Sequence, residues 1–245
     1  MWIRKQSPYI KADTYTPTLE KTMTIETEML RKIPYFSMLS PDELALVALE
    51  TVERHYNRGD LILIEGETEG ALLYVYSGLV KVYKASPEGK EQVLRLIGAG
   101  NTFNDVPALD GGPNPASAAA VEPSVVYVIR RSGLRKLITT RPEVAEAVVL
   151  TLAKTLRHLV ALVEDLSLRN VTARVAKILL DQEISARLGQ QIHRLTQTEM
   201  AALVGSAREV VGRALKELET AGAIEMRHGQ AVTLNRERLR MMALQ

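Results

Sequence analysis

Two arginines and a glutamate stand close together in the stretch SAREVVGRALKELE, which runs from Ser206 to Glu219. An arginine fork can donate two hydrogen bonds to O6 and N7 of guanine, and a carboxylate can accept one from the amino group of cytosine. Arg208, Glu209 and Arg213 therefore carry the groups that match base-pair edges in the major groove. We expect these three residues to read the sequence of double-stranded DNA.

Plainer interpretations exist for each of these side chains. Glu209 stands three residues after Ser206, the spacing at which a glutamate closes a capping box at a helix start. Arg208 and Arg213 are also compatible with solvated arginines or with contacts to phosphates, which position a protein on DNA without reading its sequence. The residues expected to contact the DNA backbone are Arg194, Thr196, Ser206, Gly212 and Lys216.

Two short helices and a tight turn are needed to position these residues. The stretch LTQTEMAALVG offers Thr196 as an N-cap and Glu199 at the capping-box spacing, and it stops at Gly205. Ser206 is the expected N-cap of the second helix. This pair predicts a helix-turn-helix, and the short strands after it predict a winged form over residues 171–245. The expected apolar face of the second helix is Val211, Ala214, Leu215 and Leu218.

The composition excludes several kinds of site. The 245 residues include no cysteine, which rules out disulfides, thiolate zinc sites and cysteine-ligated iron–sulfur clusters within the chain. The sequence has no phosphate-binding Gly-Lys loop, nucleophile elbow or H-E-x-x-H motif, so an enzyme is not expected. No stretch is apolar enough to span a bilayer, and the first residues lack the apolar core of a signal peptide. We therefore expect a cytoplasmic protein without a membrane partner.

Charge is spread unevenly along the chain. Residues 171–245 contain 11 lysines and arginines against 8 acidic residues, whereas the rest contains 20 against 21. The net charge of the chain, +2, is too small for a DNA-packaging protein, because binding without sequence preference rests on many phosphate contacts. The excess at the C-terminal end agrees with a DNA-facing part there.

Hydrophobic periodicity divides the rest of the chain. Residues 1–24 are polar and lack an apolar repeat, so a flexible tail is expected there. Within residues 25–141, short runs such as LLYVYSG and LVKVYKA alternate with glycine-containing turns, which predicts antiparallel strands closed into a small barrel or roll. SPEGKE is the clearest hairpin turn. Ser40 followed by Pro41 predicts the start of an earlier helix.

A long helix is expected over residues 142–170, and it has two apolar stripes. Such a helix needs two partners, so we expect one stripe to pack on the chain's own roll and the other on the same helix of a second subunit. The alternative is a helix buried inside a monomer. The stripe taken as the dimer seam, with coiled-coil spacing, is Val148, Leu152, Thr155, Leu159, Leu162 and Leu166. The second stripe is Val149, Leu156, Val160 and Val163.

The segment VGSAREVVGRALKELETAGAI resembles the recognition segment of the Crp/Fnr family of bacterial transcription regulators, in which R-E-x-x-x-R reads the major groove. The resemblance extends through NRGDLILIEGE, LLYVYSGLVKVY, the long helix and NVTARVAKILLD. It implies an α+β fold with an N-terminal double-stranded β-helix or jelly roll of the cyclic-nucleotide-binding type, a dimerisation helix and a C-terminal winged helix-turn-helix. It also implies a homodimer that reads an inverted repeat, with RNA polymerase as a further partner.

The resemblance also places the reading residues and the mechanism. Arg208, Glu209 and Arg213, with Gly212 between them, are closer to the cyclic-AMP receptor branch, whose half-site is TGTGA. In the family, an effector binds between the β-roll sensor domain and the dimer helix and changes how the two long helices pack. The recognition helices then reach or lose the spacing of two major grooves.

The expected effector pocket departs from the family pattern. Asn104 and Asp105 stand where cyclic-AMP-binding members have Gly-Glu, and Ala116 stands where the phosphate arginine would be, which leaves only Ser117. An anionic phosphate would then be buried without a cation and beside an acidic residue, which is unfavourable. We therefore expect an effector other than cyclic AMP, or none. The pocket set also includes Phe103 and Val106, together with Leu159 and Val160 where the family's adenine-contacting pair falls.

Several effectors remain as alternatives. Haem sensing nitric oxide or carbon monoxide is one, because some cysteine-free relatives bind haem, and His158 on the long helix is the candidate axial ligand. An apolar or aromatic small molecule is another. A cyclic-AMP-responsive protein and a regulator without any ligand complete the set.

Overall fold

The structure, a computed structural model, describes residues 25–68, 70–187 and 193–245, apart from the side chains of residues 185 and 186. The tail expected at residues 1–24 lies outside the described residues. The described chain forms two compact units. The first contains the residues up to Val82 together with Leu96–Val149, and the second contains Tyr83–Arg95 and Leu150–Gln245.

The first unit begins with two short helices, α1 (Thr27–Leu30) and α2 (Pro41–Leu49). The predicted start of α2 is confirmed. The backbone N–H of Glu43 donates to Ser40 Oγ over 3.4 Å, and the N–H of Ser40 donates to Glu43 Oε2 over 2.9 Å. This capping box satisfies backbone donors that the first helical turn leaves free.

Two antiparallel layers form the roll, which belongs to the first unit except for Tyr83–Arg95. The strands are β1 (Thr51–Tyr56), β2 (Leu61–Leu63), β3 (Leu72–Ser77), β4 (Leu79–Ala85), β5 (Glu91–Gly98), β6 (Thr102–Phe103), β7 (Ser117–Ala120) and β8 (Ser124–Ile129). In the described residues one layer has the order β1-β8-β3-β6 and the other the order β2-β7-β4-β5. The predicted roll is therefore confirmed.

Alternation along the strands explains the core of the roll. Val126 and Val128 of β8 face inward, whereas Tyr127 between them lies on the other face, against Tyr74 of β3. The inward side chains of both layers form one apolar cluster. It includes Ile62, Leu63, Leu73, Val75, Val80, Ile97, Phe103, Ala118, Ala120, Val126 and Val128.

The hairpin between β4 and β5 has the turn that SPEGKE predicts. The N–H of Ser86 donates to the carbonyl of Lys90 over 2.8 Å, and the N–H of Gly89 donates to that of Ser86 over 2.9 Å. Gly89 has φ +82°, a conformation that glycine adopts without steric cost.

Helices complete the first unit and lead into the second. They are α3 (Asp105–Asp110), α4 (Arg131–Thr140) and α5 (Pro142–Leu168). The sequence pattern predicted α5 but neither α3 nor α4. Among the described helices, none is both long enough and apolar enough to cross a membrane.

The two apolar stripes of α5 are exposed to different extents, and one residue of the expected dimer seam is buried within the chain. Val148, placed in the seam from sequence, is only 5% exposed, so it cannot pack against a second copy. Leu152, Thr155 and Leu162 are half-buried, while Leu159 and Leu166 lie at the margin of exposure. The stripe that stands free is the other one, Val149, Leu156, Val160 and Val163.

The rest of the second unit is helical with a small β-ribbon. It comprises α6 (Val171–Arg187), α7 (Gln197–Val204), α8 (Arg208–Thr220), β9 (Ile224–Arg227), β10 (Gln230–Thr233) and α9 (Arg236–Ala243). Strands β9 and β10 pair antiparallel. Val175, Met200, Val204, Val211, Leu218 and Leu239 are among the buried residues that join these helices in one core. This is the predicted winged helix-turn-helix.

Candidate nucleic-acid interface

Helix α7 begins with the predicted capping box. The N–H of Glu199 donates to Thr196 Oγ1 over 3.2 Å, and the N–H of Thr196 donates to Glu199 Oε2 over 2.8 Å. The Thr196 hydroxyl also donates to Oε2, over 2.9 Å. Burial alone would raise the pKa of the Glu199 carboxyl, but hydrogen bonds from Thr196 and His193 hold that pKa below its usual value. These hydrogen bonds fix the conformation of the first turn of α7.

The turn after α7 ends the helix at Gly205, as predicted, but the cap of the next helix is not the expected one. Gly205 has φ +68°, the left-handed conformation typical of a helix end. The N-cap of α8 is Ala207, which makes no side-chain cap. The prediction that Ser206 caps α8 and pairs with Glu209 is therefore wrong. The turn takes one residue more than the capping-box spacing assumes, and Glu209 has no capping role.

Replacement of Gly205 by alanine is expected to destabilise the protein by about 2 kcal/mol or more. The left-handed conformation costs a non-glycine residue about 1–2 kcal/mol, and the added Cβ would overlap Gln92 Oε1 and lie 3.0 Å from Leu166 Cδ2. Urea denaturation measures the loss. Gly89→Ala is the matched control, because Gly89 shares the positive φ and has no atom within 4 Å of the new Cβ. Equal losses in both variants would show that crowding at Gly205 is unimportant.

Helix α8 separates a buried face from an exposed face. Val211, Ala214, Leu215 and Leu218 are buried, as predicted. Arg208, Glu209 and Arg213 are exposed and lie in the first two turns, and Lys216 is exposed one turn further on. The described part of the chain offers these side chains no hydrogen bond or ion pair. Two guanidinium forks and a carboxylate therefore remain available for an external partner.

Gly212 lies among these exposed residues, and no neighbour within residues 25–68, 70–187 and 193–245 requires a glycine there. A Cβ on Gly212 would meet only Gln197 Oε1, at an ordinary 3.8 Å. Because glycine inside a helix is about 1 kcal/mol less favourable than alanine, Gly212→Ala is expected to raise the thermal midpoint. If DNA approaches the backbone at this point, the same variant binds DNA more weakly. Thermal melting and a DNA titration check the two effects, and unchanged DNA affinity would exclude Gly212 from the interface.

The β-ribbon next to α8 adds groups that sequence reasoning did not assign to the site. Its turn contains His228 with φ +49° and Gly229 with φ +78°, as a tight two-residue hairpin requires. Arg227 pairs with Glu225, with Nε 2.7 Å from Oε2. In the sequence, the His228–Gly229 pair between two short apolar runs was the feature that could have predicted this hairpin. Arg194, expected at the DNA backbone, is exposed just before α7.

The expected effector residues in the first unit mostly serve its internal structure. Phe103 is buried in the roll core, and Val106 is exposed. Asn104 has φ +63° and donates from Nδ2 to the carbonyl of Ala71 over 3.0 Å. Asp105 is buried, and its Oδ1 accepts hydrogen bonds from Tyr35 Oη over 2.5 Å and from Thr102 Oγ1 over 3.2 Å. The Asp105 carboxylate is thus already used to anchor the segment before α2.

The following loop contains a polar residue that sequence reasoning missed. Ala116 is buried, and Ser117 Oγ accepts from the N–H of Glu65 over 3.1 Å. Asn114 is only 2% exposed and donates from Nδ2 to the carbonyl of Ile64 over 3.1 Å, and its Oδ1 finds no partner among the described residues. An asparagine between two prolines looks like an ordinary turn residue, so the sequence contained no signal for this burial.

The remaining effector residues lie in the second unit, on α5. Leu159 and Val160 are exposed there. His158 Nε2 lies 2.9 Å from the carbonyl oxygen of Leu94, which can only accept, so Nε2 is the donor. That nitrogen has no lone pair left for a metal. While this hydrogen bond is kept, His158 could bind a metal only through Nδ1, and its role as an axial haem ligand stays a prediction.

Comparison with known proteins identifies the families that the N-terminal and C-terminal parts of the chain resemble. Residues 53–141 match the cyclic nucleotide-binding domain, and residues 173–242 match the Crp-like helix-turn-helix domain. The chain is 32% identical over 219 residues to a CRP-like cAMP-activated global transcriptional regulator of Mycobacterium tuberculosis, covering 86% of this chain and 97% of the relative. It is 33% identical over 196 residues to a cyclic AMP receptor protein of Thermus thermophilus, covering 80% of this chain and 90% of that relative.

A solved structure shows the same architecture. FixK2 from Bradyrhizobium japonicum has a TM-score of 0.66 and 26% identity, covering 78% of this chain and 96% of that one. The two domain matches and the two relatives span the roll, the long helix and the winged helix-turn-helix in one order. Membership implies DNA binding and dimer formation, in a family of regulators rather than enzymes. The chain belongs to the Crp/Fnr family of transcription regulators.

Proposed function

We propose that this regulator reads double-stranded DNA of defined sequence with Arg208, Glu209 and Arg213. The observation that carries the proposal is their common exposure on the outer face at the start of α8, without a side-chain partner in the part of the chain that the structure describes. A helix of this kind enters the major groove with its N-terminal residues against base edges. The half-site that fits the resemblance is TGTGA.

In the same proposal, the residues around this face contact the sugar–phosphate backbone of the DNA. Arg194 and Lys216 are exposed cations on either side of the reading residues, suited to phosphates. Ser206 and Gly212 allow close approach of a DNA strand. The Thr196 hydroxyl already donates to Glu199, so a phosphate contact there would have to replace that bond.

We propose a homodimer held by the exposed stripe of α5. Val149, Leu156, Val160 and Val163 have steps of seven, four and three, and Ala153 fills the missing position of the seam. A coiled-coil seam with this spacing pairs two copies of the helix in parallel. Two-fold symmetry then requires an inverted repeat, with half-sites about one helical turn apart. RNA polymerase is the further partner that family membership suggests.

For the effector we propose a ligand other than cyclic AMP, or no ligand. The relatives from Mycobacterium and Thermus are named as cyclic-AMP regulators, and this chain differs from that pattern at Asn104, Asp105 and Ala116. The internal hydrogen bonds of Asp105 support a structural role in place of a ligand contact. An apolar small molecule remains an alternative. Haem is a further alternative, in which His158 would bind iron through Nδ1 while Nε2 donates to the carbonyl of Leu94.

A fluorescence-anisotropy titration tests the proposal. The purified protein is added to a labelled duplex with two inverted TGTGA half-sites and to a scrambled duplex, with and without cyclic AMP. Tight binding to the repeat alone, independent of the nucleotide, is the expected result. Equal binding to both duplexes would reject sequence reading, and binding that requires cyclic AMP would reject the effector proposal.

A further inference from the structure

The outer end of the β4–β5 hairpin belongs to the same compact unit as the helix-turn-helix. We call residues 83–95 the hairpin tip. Lys90 Nζ of the tip lies 3.4 Å from the carbonyl oxygen of Gly205, and Gln92 Nε2 donates to the carbonyl of Leu203 over 3.3 Å. Both acceptors lie in the last turn of α7 or in the turn that leads to the recognition helix α8. The tip therefore binds the turn of the DNA-reading motif.

The fit at this turn is close. The Cα of Gly205 faces Gln92 and Leu166 so tightly that a Cβ would overlap Gln92 Oε1. Gly205 thus serves two purposes: it takes the left-handed conformation that ends α7, and it leaves room for the Gln92 side chain. The hairpin covers one side of the turn.

The same strand also contacts the long helix. Arg95 Nη1 donates to Thr155 Oγ1 over 3.2 Å, and His158 Nε2 donates to the carbonyl of Leu94. Thr155 and His158 lie away from the exposed stripe that contains Val160, so α5 can hold a second subunit and the hairpin at once. The tip connects the proposed dimer helix with the reading motif.

We propose that the hairpin tip is a latch that holds the helix-turn-helix and that DNA binding requires its release. Ser206, a proposed phosphate contact, directly follows Gly205, whose carbonyl accepts from Lys90 and whose Cα packs against the Gln92 side chain. In the proposal, a DNA strand that reaches Ser206 competes with the tip for this turn. The strands that lead into the tip also place Val80 and Ile97 in the roll core.

The latch is suited to switching because it is small. It consists of two polar contacts near the upper limit of hydrogen-bond distance, one of them from the exposed Lys90. Allosteric couplings in proteins typically change affinity about 5- to 150-fold, and contacts of this kind can supply a change at the lower end of that range.

The variant Gln92→Ala tests the latch. It removes the neutral side chain on Gly205 and leaves the net charge unchanged, so its effect on DNA binding does not arise from altered attraction to phosphates. In the titration described above, Gln92→Ala should bind the inverted repeat roughly fivefold more tightly than the wild-type protein. Pro87→Ala, at the exposed end of the same hairpin, also leaves the net charge unchanged and should bind both duplexes with the wild-type affinities. Unchanged or weaker binding by Gln92→Ala would overturn the proposal.

Hydrogen exchange without DNA separates this proposal from the DNA-reading function on which it rests. In Gln92→Ala the amides of residues 203–206 should exchange faster, while those in the roll core keep their wild-type rates. If the wild-type protein fails to distinguish the two duplexes, the DNA-reading function is rejected and exchange alone judges the contact. Unchanged exchange at residues 203–206 would then overturn the latch.

Discussion

Replacement of Leu156 by glutamate is expected to convert the dimer into monomers and to abolish tight binding to the inverted repeat. Leu156 lies in the middle of the exposed α5 stripe and is 63% exposed in the single chain. Burial of a leucine contributes about 1.5–3 kcal/mol, and two-fold symmetry applies the loss twice. The dimer dissociation constant should therefore rise roughly 100-fold or more.

Sedimentation velocity measures this change, and the chain offers a matched control. Leu150 is 54% exposed and lies on the same helix at the flank of the seam, where coiled coils commonly carry charged residues, so Leu150→Glu adds the same charge without burying it. Leu150→Glu should remain dimeric. A Leu156→Glu protein that sediments as an intact dimer would show that the free stripe is not the interface.

Arg213→Ala is expected to weaken binding to the inverted repeat by about 1–3 kcal/mol per reading contact and to change binding to scrambled DNA little. The physical reason is that a bidentate contact to guanine forms only with the correct base, whereas a phosphate contact forms with any sequence. Arg213 is exposed and pairs with no side chain among the described residues, so its loss leaves no buried partner there. The folded stability should stay close to that of the wild-type protein.

Lys216→Ala is the matched control for this prediction. Lys216 lies on the same exposed face one turn beyond Arg213 and is proposed to contact phosphate. Its loss should weaken binding to both duplexes alike and reduce the salt dependence of binding. If Arg213→Ala also weakens both duplexes equally, Arg213 contacts phosphate and reads no base.

The helix-turn-helix was largely predictable, because local chemistry determines most of it. Thr196, Glu199 and Gly205 form a cap, a capping partner and a helix end that depend on neighbours a few residues away. The start of α8 was placed wrongly for the same reason. The pattern from Ser206 to Glu209 satisfies a capping box in sequence, but the turn continues through Ala207.

Long-range choices were not predictable in this way. Both stripes of α5 have apolar residues at helical spacing, so periodicity alone cannot tell which stripe the chain itself covers; Val148 proved to be buried. The hydrogen bond between Tyr35 and Asp105 joins residues 70 positions apart, and the sequence around Asp105 contains no pattern that predicts it. Contacts of the hairpin tip with Leu203 and Gly205 are of the same kind.

The measurement that tests the central claim most directly is a base-substitution scan of one half-site. Each position of TGTGA is replaced in turn, and the affinities of the wild-type protein, Arg208→Ala, Glu209→Ala and Arg213→Ala are measured for every duplex. If these residues read bases, each variant loses discrimination at a single position and retains it at the others. Variants that keep the full wild-type pattern of discrimination at every position, with affinity merely lowered, would contradict the claim.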